Sequence, residues 1–431
     1  MQPVCHRQPG QLDFVEALFT ATSAVCVTGL IVVDTGHELS TAGQVVVLAL
    51  IQLGGLGILT LSTLVMLSVR TQTDLATRLY VDATHGIGIA GLTPHQVVRR
   101  VVGLTILIEG CGALLLFARI GAREEGGWGL RTAWLALFHS VSAFCNAGFS
   151  LHTNSLASYR EDPFVTVVVL SLIVLGGLGF LVLSELLRFA RLNKTQRRWW
   201  RLSLHTRLVL STSAALLVLG ALAYAAFEAP NSLASASPLE RVLDPVFFSI
   251  TCRTAGFNTV SLSSMTGATL TTALVLMLIG ASPGSTGGGL KTTTFAVLFA
   301  MVRSRLRGRP RTEVFGRRIA RDQVAKALAI AGSFIGLIFV AGLALQLTEV
   351  GLVAHNAASD HYLDHLFEIV SALGTVGLST GLTGTLSTGG RLIIVVLMFL
   401  GRLGPLVVGA SLIGERRPLP MTYPVARILV G

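Results

Sequence analysis

Long apolar segments recur along this chain and restrict the folds that are open to it. They lie at about 43–69, 97–118, 163–188, 204–227, 268–302, 324–347 and 391–413, and each is long enough to cross a hydrocarbon core about 30 Å thick. Backbone groups in lipid must be hydrogen-bonded within their own segment, so these stretches are predicted to be helices. Charged residues make up 13% of the chain, against about 25% in a soluble domain. We therefore predict an all-α polytopic membrane protein.

Two basic clusters indicate the orientation in the membrane. Seven Lys or Arg residues lie in 188–207 and nine in 303–326, and short basic loops between membrane helices stay on the cytoplasmic side. The formal net charge of +11 could instead indicate a nucleic-acid site, but basic loops between apolar helices are far more often topology signals. We predict that both loops are cytoplasmic and that the chain contacts membrane lipid and no nucleic acid.

The chain also contains an internal repeat. A short apolar stretch with a polar turn at its end occurs four times, as LFTATSAVCVTGL (18–30), LFHSVSAFCNAGF (137–149), FFSITCRTAGF (247–257) and LFEIVSALGTVGL (366–378). Each copy ends in Gly followed by Leu or Phe, and the third copy is one residue shorter between its leading Phe and its Gly. The flanking helices give repeats at 1–69, 95–190, 203–305 and 324–413, with a C-terminal tail at 414–431. The first repeat lacks the leading helix that precedes the other copies.

Each short stretch has roughly ten residues before its glycine, about 15 Å as a helix, which is too short to span the membrane. A single copy could be an amphipathic helix lying on the outer surface. Repetition between full spans favours re-entrant pore loops, shielded from lipid by protein. The helix after each loop runs toward a cytoplasmic segment, so all the loops enter from outside and can surround one central pore.

The turns at the ends of these loops have the composition expected of an ion filter. Rings of backbone carbonyls can replace the hydration shell of a cation, and glycine reaches the required dihedral angles while leaving the pore open. No Asp or Glu lies in the turns, which argues against a carboxylate ring and for a monovalent cation. The predicted filter residues are Val27, Thr28, Gly29, Asn146, Ala147, Gly148, Thr254, Ala255, Gly256, Thr375, Val376 and Gly377.

The turns contain four motifs in the order CVTGL, CNAGF, CRTAGF and GTVGLSTGL. These motifs resemble those of the Trk/Ktr/HKT superfamily of potassium transporters, and within it those of the membrane subunit of bacterial Ktr systems. The resemblance implies potassium-selective uptake across a bacterial cytoplasmic membrane through four pseudo-symmetric helix–pore-loop–helix units. It also implies a homodimer on a cytosolic ring of nucleotide-binding regulatory subunits. Glycine rather than serine at position 29 implies a preference for potassium over sodium. Sodium as a coupling or modulating ion stays open, and no covalently bound cofactor is expected.

The stretch GASPGSTGGGLKTTTF (280–295) interrupts an apolar segment. It is similar to a phosphate-binding loop, but Leu290 separates the last glycine from Lys291, and apolar helices flank it. A continuous helix over 268–302 would be about 52 Å long, so we predict a break that faces the ion path. The resemblance places a gate there, and the predicted gate residues are Gly284, Gly287, Gly288, Gly289, Lys291 and Arg402. A plain kink packed against neighbouring helices is the alternative.

Other polar residues are weaker candidates. Arg253, beside the third turn, is expected to brace its loop rather than to face the pore. His361 and His365 have the spacing of a metal pair, but they also suit a helix start, and no metal other than potassium is predicted. Glu109 is expected to form buried hydrogen bonds, and Glu185 to lie near the cytoplasmic end of its helix. A secondary transporter for another solute is the rival function, whereas no catalytic constellation suggests an enzyme.

Overall fold

The computed structural model describes Cys5 and residues 13–71, 94–123, 127–353 and 362–411. Within these ranges the helices are α1 Phe14–Val25, α2 Thr41–Thr71, α3 Pro94–Arg123, α4 Leu130–Cys145, α5 Pro163–Leu178, α6 Phe180–Ala190, α7 Leu204–Glu228, α8 Glu240–Thr251, α9 Gly267–Leu278, α10 Thr292–Leu306, α11 Arg321–Glu349, α12 Tyr362–Gly374 and α13 Thr388–Ser411. A small antiparallel hairpin, β1 Glu313–Val314 and β2 Arg317–Arg318, lies in the second basic loop. The predicted tail at 414–431 lies outside the described residues.

The prediction of an all-α membrane protein is confirmed. Among the described residues, three helices are long and apolar enough to cross a membrane in one piece, namely α3, α7 and α11, and α5 with α6 can form a fourth, bent span. Large apolar side chains on these helices face outward: Leu107 is 62% exposed, Leu219 63% and Phe339 68%. Such exposure is unfavourable in water and is the expected state of a helix surface that contacts lipid tails.

Four short helices, α1, α4, α8 and α12, lie among the longer ones and contain 12, 16, 12 and 13 residues. The first begins at a capping box, in which the Asp13 carboxylate accepts from the helix backbone while Glu16 reaches back to the Asp13 N–H. α4 packs between α3 and α5, and α12 packs against α9 and α13. α1 packs against both α2 and α13, so the two ends of the described chain meet.

The segment at 163–188 is not the single helix that its apolar sequence predicts. It divides at Gly179 into α5 and α6, and the two axes differ in direction by 107°. Gly179 has φ 88° and ψ 147°, a conformation that is accessible to glycine and strained for other residues. The Phe180 N–H, left without a partner in α5, donates to the carbonyl oxygen of Gly284 at 2.9 Å. A contact more than a hundred positions away therefore determines this bend.

The segment at 268–302 is broken, as its excessive length predicts. α9 ends at Leu278 and α10 begins at Thr292, and the chain between them, residues 279–291, is almost entirely buried. The two ends of this segment, named the gate loop after the predicted gate, are held together by a parallel backbone bridge between Ile279 and Leu290. The loop therefore crosses the protein interior as a compact, closed excursion between two half-helices.

Candidate functional site

Each short helix ends in a turn with the same alternating backbone. The residue two places before each repeat glycine has a positive φ, with values of 54° at Val27, 60° at Asn146, 75° at Thr254 and 50° at Thr375. The glycines themselves have φ of 93° at Gly29, 71° at Gly148, 78° at Gly256 and 89° at Gly377. The single residue between each such pair does not have a positive φ. Alternating handedness turns successive peptide groups to a common side, which lets one loop present several backbone groups to an ion.

The four turns meet in a closed ring. Each glycine faces the residue just before the glycine of another copy: Gly29 faces Ala147, Gly148 faces Ala255, Gly256 faces Val376, and Gly377 faces Thr28. At the loosest of these contacts, a Cβ atom on Gly148 would lie 2.9 Å from the carbonyl oxygen of Ala255, nearer than real Cβ atoms come. The contacts return to the first copy, so the structure brings together all the residues that were predicted as a filter.

The electrostatics of this ring favour a cation. None of the residues that form the ring carries a charge, and the C-terminal ends of α1, α4, α8 and α12 lead directly into it. A helix C-terminus carries a partial negative charge from its unpaired carbonyls. Since backbone oxygens and helix dipoles supply the negative potential without a carboxylate, the arrangement suits an ion that must be dehydrated and then released quickly.

Hydroxyl side chains inside the short helices brace the turns, and sequence reasoning missed them. The hydroxyl oxygens of Ser23 and Ser371 accept from the N–H groups of Gly29 and Gly377, both at 3.1 Å. In the other two copies the hydroxyl instead donates to the carbonyl that follows the glycine, from Ser142 to Phe149 at 2.7 Å and from Thr251 to Phe257 at 2.5 Å. The signal was present in the repeat alignment, where every copy has Ser or Thr five or six positions before its glycine.

The gate loop packs directly against two of the glycine turns that are predicted to form the filter. The N–H of Gly288 donates to the hydroxyl of Thr375 at 3.0 Å, and a Cβ atom on Gly287 would overlap the hydroxyl of Thr254. On its other side the loop is tied to the second unit, since the Thr286 hydroxyl donates to the carbonyl of Phe144 at 3.2 Å. The glycine turns and the gate loop therefore form one continuous packing unit.

Lys291 and Arg402 both direct their charge into this loop. The Lys291 ammonium donates to the carbonyl oxygens of Gly287 at 2.6 Å and Gly288 at 3.3 Å. Arg402, which is 4% exposed, donates to the carbonyl of Thr286 through Nη1 and to that of Gly54 in α2 through Nη2 at 3.0 Å. These loop carbonyls accept from cationic side chains, whereas a phosphate-binding loop presents its N–H groups to the ligand.

Arg253 contacts the outer side of the same loop. Its Nη2 atom lies 3.3 Å from the hydroxyl of Ser213 in α7 and 3.4 Å from the carbonyl oxygen of Gly280. The side chain thus joins the third short helix, α7 and the start of the gate loop. This geometry is that of the brace predicted from the sequence.

The weaker sequence candidates fall outside this constellation. Glu109 accepts from the side-chain amide of Gln52 at 3.0 Å, and Glu185 accepts from the Ser203 N–H at 2.7 Å, where it caps α7. His361 lies outside the described residues, while His365 pairs with the Gln346 amide at 3.2 Å. Within the described ranges, no group of three or more His, Cys, Asp or Glu side chains could hold a metal ion.

Comparisons with known proteins agree with this architecture. The sequence profile of the TrkH family, described as "Cation transport protein", matches residues 4–413. The chain is 37% identical to the Ktr system potassium uptake protein B of Bacillus subtilis, covering 100% of this chain and 92% of that protein. It is 34% identical to the potassium/sodium uptake protein NtpJ of Enterococcus hirae, with 100% and 92% covered.

A solved structure shares the fold. The potassium transporter TrkH from Vibrio parahaemolyticus superposes with a TM-score of 0.69 at 20% sequence identity, over 93% of this chain and 78% of that one. The family profile extends across nearly all of the sequence and includes each of the glycine turns. The expectation of a transport protein rather than an enzyme is thereby confirmed, and the chain belongs to the TrkH family of cation transport proteins.

Proposed function

We propose that this chain is the ion-translocating subunit of a potassium uptake system in a bacterial cytoplasmic membrane. The closed ring of glycine turns carries the proposal, because it brings backbone groups of all four turns together at one place. Two relatives that match 97% or more of the chain are named for potassium uptake, which supports potassium as the ion. A filter of carbonyl oxygens selects an ion by exchanging its hydration shell for a fixed set of oxygens.

The gate loop is the second part of the proposed mechanism. It packs against the residues of two filter turns, and Lys291 and Arg402 add positive charge on that side. An ion that leaves the filter there meets buried backbone and two cations, so the loop must move before the ion passes. We assign Gly284, Gly287, Gly288 and Gly289 to the moving segment. Arg402 is assigned to the closed state, since it bonds the loop to α2.

Partners follow from the relatives' names. The word "system" in the names of two relatives implies that those proteins work with other subunits, and we propose that this chain forms a homodimer that binds a cytosolic ring of nucleotide-binding subunits. The basic segments at 188–207 and 303–326 are the surfaces on the proposed cytoplasmic side. The name of the Enterococcus hirae relative includes sodium, so sodium is proposed as a coupling or modulating ion. The pore loops are proposed to face the outside of the cell.

Purified protein in liposomes tests this function. Rubidium-86 serves as the tracer for potassium, and vesicles loaded with potassium chloride drive its accumulation by exchange. We expect uptake that excess external potassium suppresses, and that excess external sodium suppresses more weakly. Gly29→Ser should narrow the difference between the two ions. A secondary transporter for another solute would give no rubidium accumulation, and that result would refute the proposal.

A further inference from the structure

An apolar groove of about 570 Å³ lies on the outer surface of the second unit, between α3, α5 and α6. Its walls are mostly leucine, isoleucine and valine, including Leu107, Val167, Leu183 and Leu187. Ser171 is the one hydroxyl in the lining, and it already donates to the carbonyl of Val167 at 2.7 Å. The groove therefore offers no polar group that seeks a ligand, and only an apolar occupant fits it.

The bend at Gly179 creates this groove. Because α6 departs from the axis of α5 by 107°, it cannot continue the packing of α5 against α3, and a wedge opens between the three helices. Leu183 and Leu187, one helical turn apart on α6, line the wedge. The groove thus follows from the backbone at the bend, where the Phe180 N–H donates to the carbonyl oxygen of Gly284.

The groove lies on an apolar surface of the kind that contacts lipid. Leu107, Val167 and Leu187, which line it, are 62%, 51% and 50% exposed, and α3 is among the helices apolar enough to span a bilayer. In a bilayer such a surface is in contact with acyl chains. An acyl chain is therefore the occupant that best matches a recess of this size and lining.

Positive charge lies at one end of the groove. Arg188 directly follows Leu187, and Arg191 follows at the end of α6. Both side chains are exposed, and neither forms an ion pair or side-chain hydrogen bond with another residue in the described part of the chain. Basic residues that border a recess between membrane helices on the cytoplasmic side are suited to phospholipid head groups.

We propose that the groove between α3, α5 and α6 binds one acyl chain of an anionic phospholipid, whose phosphate lies against Arg188 and Arg191. The groove supplies apolar contact and the two arginines supply selectivity for the head group. A zwitterionic lipid would fill the same groove without the gain from net charge. The test measures lipid association and not ion flux, so its outcome can be separated from that of the proposed transport function.

The chain contains a built-in probe for this test. Cys111 lines the groove and is exposed, whereas Cys5, Cys26, Cys145 and Cys252 are buried. A bimane fluorophore on Cys111 reports nearby lipid through quenching by phospholipids that carry a nitroxide on the acyl chain. Labelled full-length protein is reconstituted in phosphatidylcholine, and nitroxide-labelled phosphatidylglycerol or phosphatidylcholine is titrated in. The matched control carries the label at Leu219→Cys in a Cys111→Ser background, on the outward face of α7, where the side chain is 63% exposed.

We expect phosphatidylglycerol to associate at Cys111 about tenfold more strongly than phosphatidylcholine, since each basic residue near the surface contributes to anionic lipid binding. At Leu219→Cys the two lipids should quench equally. The double variant Arg188→Gln, Arg191→Gln should abolish the preference at Cys111. Equal quenching at Cys111 in the unmodified chain would overturn the proposal. So would efficient oxidative cross-linking of Cys111 between two copies, because it would show that a second protomer covers the groove.

Discussion

Replacing Arg402 with glutamine tests whether this residue holds the gate loop closed. In the structure its guanidinium is buried and bridges the carbonyl oxygens of Thr286, in the loop, and Gly54, in α2. Glutamine is shorter and neutral, so it cannot reach both carbonyls. The substitution removes the link between the loop and α2 while leaving the ring of filter glycines in place.

The size of the effect follows from the bond that is lost. A hydrogen bond from a charged donor contributes about 1.5–3 kcal/mol, and about 1.4 kcal/mol corresponds to a tenfold change in an equilibrium. The bond to Gly54 is present whether the loop is closed or displaced, because Gly54 belongs to α2. Only the bond to Thr286 differs between the two positions of the loop. We therefore expect the open fraction, and with it the basal flux, to rise by about 10- to 100-fold when the wild-type loop is mostly closed.

The assay is rubidium-86 uptake into proteoliposomes without any regulatory subunit, with initial rates normalised to the amount of folded protein. Arg391→Gln is the matched control, because Arg391 lies on the same helix but pairs with Glu16 at 3.1 Å, away from the gate loop. That variant should leave the basal rate within about twofold of wild type. Size-exclusion chromatography in detergent verifies that both variants remain folded.

Three results would refute the reasoning. If Arg402→Gln is folded and its uptake rate equals that of wild type, the bond to Thr286 does not restrain the loop. If its rate falls while Arg391→Gln is unaffected, Arg402 supports the conducting state instead of the closed one. A matching increase in both variants would show that a general loosening of α13, and not the loop contact, produces the flux.

Three further predictions concern single positions. Gly377→Ala should abolish rubidium uptake, because φ is 89° and the added Cβ would overlap the carbonyl of Thr28; Gly57→Ala, where nothing lies within 4 Å, is the control and should transport normally. Gly179→Ala should lower the free energy of unfolding by about 1–3 kcal/mol, measured by thermal unfolding in detergent, and an unchanged melting temperature would contradict the account of the bend. Burial raises the pKa of Asp162, but hydrogen bonds from the Val165 N–H and from Arg119 outweigh it and hold the pKa below its ordinary value. The stabilisation by Asp162 should be present above pH about 4 and lost as the pH falls through the lowered pKa, so the melting temperatures of wild type and Asp162→Asn should differ at pH 7 and converge in acid.

The sequence was sufficient to predict what depends on local pattern. Apolar length identified the membrane helices, and repetition identified the glycine turns, because each copy carries its own signal within about a dozen residues. The break in 268–302 was also predictable, since a helix of that length would exceed the bilayer. In each instance the information needed lies inside the segment itself.

What the sequence could not supply depends on partners distant in the chain. Nothing near Gly179 predicts a bend, because the same LGGLG pattern occurs in α2 at 53–57, where the helix continues. The difference is the carbonyl of Gly284, which takes the N–H that the bend releases. Likewise the carbonyl that Arg402 bonds in α2 lies almost 350 positions away, and no local pattern reveals such a pairing.

Glycine is required in the gate loop for two different reasons. At two positions the reason is the backbone conformation, and at two others it is the absence of a side chain. Gly284 and Gly289 have positive φ, 72° and 67°, and so use conformations that other residues avoid. Gly287 and Gly288 do not; a Cβ atom on either would overlap the hydroxyl of Thr254 or Thr375 in the filter turns. These two positions are small because the loop is pressed against the filter. A loop that fits so closely cannot admit an ion while it stays in place, and any displacement of it removes a hydrogen-bond donor from Thr375. Ion occupancy of the filter and the position of the loop are therefore expected to influence each other through these two threonines.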